Sequence, residues 1–81
     1  MTLKEFLLSQ YNIDITDNGS KQANDIKNSL GFYSVSNPFE KELNQLTDDE
    51  VYAVFVALIA NKIWLYSEIL DKGKKLIANY Q

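Results

Sequence analysis

The chain contains no cysteine, no histidine and no arginine. Without cysteine there is no disulfide framework and no thiolate metal site, and nothing calls for an oxidising compartment. Without histidine as well, the commonest general base and the readiest side-chain nucleophile are both missing. Without arginine the chain lacks the bidentate fork that grips phosphates and guanine edges. Its eight basic residues are all lysines, set against eleven acidic ones, for a net charge of −3. Nucleic-acid binding is therefore not expected, and the carboxylates are too sparse for a DNA mimic. One proline and three glycines leave no Gly-rich phosphate loop and no linker that would divide the chain. Met1 to Glu5 lack the basic and apolar regions of a signal peptide, so a cytoplasmic protein is expected.

Apolar residues make up 46% of the 81 positions, ordinary for one globular domain and too many for a disordered chain. A domain this short buries only ~60% of the surface its unfolded form exposes. Eight asparagines beside eight lysines, with no arginine, fit an AT-rich coding sequence. That composition points to a low-GC bacterium, its plasmids or its phages.

The pattern of apolar residues predicts an all-α fold, a small bundle of three short helices packed on one long C-terminal helix, in a single domain over 1–81. Leu3, Phe6, Leu7 and Tyr11 stand at helical spacing, with Thr2 and Glu5 as a capping box. Asn12 to Ser20 reads as a loop. Ala23, Ile26 and Leu30 form the stripe of a second helix, which Gly31 should end. Phe32, Tyr33 and Val35 should pack inward from the connector. Pro38 should open a third helix that buries Phe39, Leu43 and Leu46 and ends near Leu46.

The longest feature follows. Thr47 and Glu50 form a second capping box, and Val51 to Ala60 are ten unbroken apolar residues. Asn61 and Lys62 interrupt the run, which resumes with Ile63, Trp64, Leu65 and Tyr66. A helix from here should reach Lys72, and Gly73 should end it, kink it or merely weaken it. Apolar residues on every side mean that the first half must be enclosed. A straight helix from Asp48 to Ile77 would be ~45 Å long, in a globule ~30 Å across. The helix must then protrude, break near Gly73, or pair with a second chain as a homodimer. A membrane span is not expected, because the central Lys62 costs ~3 kcal/mol on insertion scales.

Candidate sites are few. Asp14, Thr16, Asn18, Gly19 and Asp25 fall at positions of a calcium-binding EF-hand loop. Lys21 and Asp25, however, occupy positions that should be apolar and glutamate, so the segment reads as a turn before a helix. Asp48, Asp49 and Glu50 cluster where a helix N-terminus favours acidic residues. Lys62 and Glu68 are six residues apart and point to different sides. No catalytic constellation is present, and no enzyme activity, metal or cofactor is expected.

The remaining expectation is a non-enzymatic protein-binding module, with an inhibitor of a host protein or defence system as one specific form. Its surface should lie on the amphipathic half of the long helix, around Ile63, Trp64, Tyr66 and Leu70. Two other readings have weaker support. One is a dimeric helix-turn-helix regulator using Lys21 and Lys27, and the other an intracellular bacteriocin immunity protein.

Overall fold

In the computed structural model, which describes residues 1–59 and 64–80, the helices are α1 (Leu3–Tyr11), α2 (Lys21–Phe32), α3 (Asp48–Ile59) and α4 (Tyr66–Ala78). A single 3-10 turn, Leu43–Gln45, precedes α3. No strand occurs among the described residues beyond one isolated antiparallel bridge between Thr2 and Glu42. The bundle is all-α, as the periodicity requires.

Helix α1 starts at the anticipated box. Thr2 Oγ1 accepts from the Glu5 amide at 3.3 Å, and Glu5 Oε1 accepts from the Thr2 amide at 2.9 Å. Asn12 ends the helix in the left-handed region at φ 54°, a conformation asparagine tolerates better than most residues. The loop that follows buries Ile13 and Ile15 and turns its polar side chains onto its own backbone. Asp14 Oδ1 accepts from both the Thr16 amide and hydroxyl, and Asp17 Oδ1 from the Gly19 amide. Ser20 then caps α2 through the Ala23 amide.

Gly31 does not end α2. The helix runs through it and closes two residues later in a Schellman arrangement. The Val35 amide donates to the Leu30 carbonyl at 2.8 Å and the Ser34 amide to the Gly31 carbonyl at 3.1 Å. Ser34 takes the left-handed position at φ 57°, where glycine would be the unstrained choice.

The expected third helix does not form. Its backbone is used elsewhere. The Phe39 and Lys41 carbonyls accept from the Lys4 and Leu3 amides at 3.0 and 2.9 Å. These are amides at the start of α1 that have no partner within their own helix. Binding them fixes Phe39 to Lys41 in a turned conformation, and only Leu43–Gln45 coils, as the 3-10 turn. Phe39 and Leu43 still enter the core.

The long C-terminal helix is two helices. The first, α3, begins at the strong Thr47 signal and is described as far as Ile59, while Trp64 and Leu65 lie outside helix. Leu65 is extended at ψ 151°, and its amide donates to Glu68 Oε2 at 3.2 Å, which starts α4. Gly73, where the sequence left an end, a kink or a mere weakening open, is buried in the middle of α4. A Cβ there would stand 2.7 Å from Val51 Cγ1 and 2.9 Å from Phe55 Cδ2. Gly73 is thus the notch that lets α4 lie directly on α3. With α4 lying on α3, Val51, Ala53, Val54 and Phe55 are buried and Val56 to Ile59 half-buried, and the molecule measures 30 × 26 × 21 Å.

The core centres on Phe55 and Phe6, with ring centroids 6.2 Å apart. Tyr11 and Tyr80 meet Phe6 edge-on at 5.9 and 5.4 Å. Tyr80, whose hydroxyl donates to Gln10 Oε1, therefore belongs to the core margin.

Glu50 is the one buried charged residue among those described. Its Oε1 accepts from the Thr47 amide at 2.8 Å and from Lys41 Nζ at 2.9 Å. Burial alone would raise its carboxyl, but the bonds from Thr47 and Lys41 outweigh that and hold it below its ordinary value. Glu5 and Asp14 are also lowered, by bonds from Thr2 and Thr16 respectively. A carboxyl lowered in the folded state contributes stability above its unfolded pKa of ~4, and this is lost as pH falls through the folded value. Thermal melts should therefore be flat from neutral pH to about 5.5 and drop below about 4.5. Glu50→Gln should lower stability at neutral pH by ~1–2 kcal/mol and make the acid limb shallower. An acid limb identical to wild type would show that Glu50 carries none of it.

Candidate functional site

The Schellman end of α2 decides what the surface presents. Two residues past Leu30 along a helix is a rotation of about 200°. Because the helix runs through Gly31, Phe32 must face away from the Ala23–Ile26–Leu30 stripe. It is 80% exposed, the most of any large hydrophobic residue described. Tyr33 follows it, also exposed.

These two rings open a row that crosses three helices. Phe32 meets Tyr33 edge-on at 4.9 Å, and Tyr33 meets Tyr52 of α3 edge-on at 5.0 Å. Tyr52 meets Tyr66, the first residue of α4, at 4.5 Å. Such pairs add ~0.5–1.5 kcal/mol each to the packing they bring, so the row is preformed. Leu65, next to Tyr66, is 68% exposed. Leaving a Phe ring in water forgoes ~1.5–3 kcal/mol of burial. Contiguous exposure of this kind marks interaction surfaces more than scattered single residues do.

Two recesses flank Tyr33. On one side a groove of about 450 Å³ separates α2 from α3, floored by Val56 and Ala57 and walled by Asn28, Ser29 and Phe32. On the other a polar recess of about 220 Å³ is lined by Ser34, Ser36, Lys41, Thr47, Asp49 and Glu50.

The charges at the row are mostly paired. Lys41 holds Glu50 and Lys74 holds Asp48, both at 2.9 Å. Asp49 lies between these two acids, is exposed, and forms no ion pair among the described residues. Its Oδ1 accepts a long bond of 3.5 Å from the Tyr66 hydroxyl. Burial, with the charges of Asp49 and Asp48, raises the Tyr66 phenol above its ordinary value, so it stays a neutral donor.

Of the four residues expected to form a binding surface, Tyr66 stands in the row. Trp64 is half-buried, with Lys72 Nζ over its ring at 3.7 Å, and its Nε1 is buried with no hydrogen-bond partner among the described residues. Leu70 is half-buried against the core. Ile63, like Asn61 and Lys62, lies outside the described residues. Phe32 and Tyr33, expected to turn inward, are exposed and supply half the row. The signal for Phe32 was present in the sequence, since it falls off the α2 stripe once the helix is carried past Gly31. Tyr33 keeps the spacing of the stripe and is exposed because the helix closes there.

The other candidate groups are engaged locally. Lys21 pairs with Asp25 at 3.0 Å, and Lys27 donates to Asn18 Oδ1 at 3.4 Å. Glu68 caps α4. Among the described residues no set of three or more Asp or Glu carboxylates is grouped to hold a metal ion. None of their helices is long and apolar enough to cross a membrane.

No protein-family model, no curated protein and no solved structure matches the chain. What the fold and surface define is a class: a small acidic four-helix bundle with a preformed aromatic row across α2, α3 and α4.

Proposed function

We propose that the protein is a non-enzymatic binding module that covers a surface of another protein with its aromatic row. The observation that carries this reading is the exposure of Phe32 at the head of four contacting rings. Aromatic anchors are the residues that dominate binding energy at protein interfaces, and a rigid row loses little entropy on docking. The groove floored by Val56 and Ala57 would seat an apolar side chain of the partner beside Phe32. The lysine- and asparagine-rich, arginine-free composition supports a phage- or plasmid-borne accessory protein that inhibits a host protein.

The test is capture from a low-GC bacterial lysate, with bound proteins identified by mass spectrometry. Wild type should retain a defined protein that Phe32→Ala and Tyr66→Ala lose by tenfold or more. Phe32→Ala should stay within ~0.5–1 kcal/mol of wild type and Tyr66→Ala, which also loses its contact with Tyr52, within ~2 kcal/mol, with both variants still folded by circular dichroism. Retention of the same protein by both variants would show that the row is not the binding surface.

A further inference from the structure

We propose that the aromatic row is a cation-binding face whose occupant is a basic, arginine-bearing segment of a different protein. This rests on the row being a protein-binding surface and adds the chemistry of what it takes.

The argument begins with Asp49. Its neighbours Asp48 and Glu50 are neutralised by Lys74 and Lys41, each at 2.9 Å. Asp49 has no lysine among the described residues, and its carboxylate sits against the Tyr66 hydroxyl at 3.5 Å. Among the described residues, the acid at the start of α3 without an ion pair therefore stands beside Tyr66, whose ring lies 4.5 Å from that of Tyr52. A carboxylate next to the exposed Tyr66 ring, backed by the half-buried Tyr52, suits a guanidinium. That group is planar and weakly hydrated, stacks on aromatic rings, and offers its donors to a carboxylate in the same pose. A lysine ammonium could take the charge but not the stacking. Behind Tyr33, the groove floored by Val56 and Ala57 accepts an apolar residue from the same segment.

Charge also selects among occupants. A second copy of this chain has no arginine and carries its own net charge of −3. Paired face to face, it would set one Asp49 against another. A nucleic acid or an anionic membrane would meet the same repulsion. The complementary partner is a basic protein segment.

The experiment titrates the whole chain with a short amidated amphipathic peptide of arginine, leucine and alanine. Matched peptides carry lysine or glutamate in place of arginine, and backbone amide shifts are followed by NMR. The arginine peptide should shift amides centred on Tyr33, Asp49, Tyr52 and Tyr66. It should bind at least about tenfold more tightly than the glutamate peptide, and the lysine peptide should fall between them. Asp49→Asn should weaken the arginine peptide roughly fivefold while circular dichroism stays helical. Equal binding of the arginine and glutamate peptides would overturn the proposal, as would an Asp49→Asn variant that binds like wild type. So would the same shifts produced by self-association, a DNA duplex or phosphatidylglycerol vesicles. If the lysate partner is lost with Phe32→Ala but unaffected by Asp49→Asn and by salt, the row is a binding surface without cation selectivity. Only the present inference would then fall.

Discussion

Phe55→Ala should remove most of the stability of the domain. Phe55 is fully buried and is the residue against which α1 and α4 both pack, through Phe6 and Gly73 respectively. Phe-to-Ala changes in cores cost ~3–5 kcal/mol, since the lost transfer energy is joined by the cavity left behind. A domain of this length has ~4–12 kcal/mol in total. The midpoint of urea unfolding should fall accordingly, and the melting temperature should drop by at least about 12 °C. A loss under ~1.5 kcal/mol would mean that the three helices do not converge on this ring.

The second large effect is expected at Gly73, and its sign is informative. In an exposed helix interior, glycine to alanine gains ~1 kcal/mol. Here the new methyl would lie 2.7 Å from Val51 Cγ1 and within 3.0 Å of two Phe55 ring atoms. Overpacking of that kind costs ~1–3 kcal/mol, enough to outweigh the propensity gain. Gly73→Ala should therefore destabilise, and Gly73→Val should cost ~3 kcal/mol or more, because it adds bulk at the tightest point. Combining Gly73→Ala with Val51→Ala should cost less than the sum of the two, since the second change removes the group the first one strikes. A stabilising Gly73→Ala would show that α4 does not seat on α3 at this residue.

Both predictions concern the segment in which the sequence was least decisive. The start of α3 was legible because a capping box is local: Thr47 and Glu50 are three residues apart and bond one another. The same holds for Thr2 and Glu5. The end of α3 was not legible, because Val51 to Ile59 would be equally helical in a longer rod. What divides the rod is the burial gained when α4 returns onto Val51 and Phe55, and that contact joins residues about twenty positions apart. The lost third helix has a similar cause. Pro38 and the spacing of Phe39, Leu43 and Leu46 fit a helix, but the Leu3 and Lys4 amides claim the Lys41 and Phe39 carbonyls.

The aromatic row follows the same division. Tyr66 could be picked from the amphipathic half of the segment, because tyrosine and tryptophan are enriched at interfaces. Phe32, Tyr33 and Tyr52 could not be joined to it from sequence, since they reach it only after α2, α3 and α4 are packed.

By itself the sequence determined an all-α fold, the starts of α1, α2 and α3 and most of the core stripes, because periodicity and caps act over one or two turns. It also removed cysteine, histidine and arginine chemistry outright. Only the tertiary structure decided that α4 returns onto α3 and seats there at the notch of Gly73, and that four aromatic rings from α2 and its cap, α3 and α4 meet in one row. Those outcomes depend on the total burial available to the whole chain, which no local pattern records.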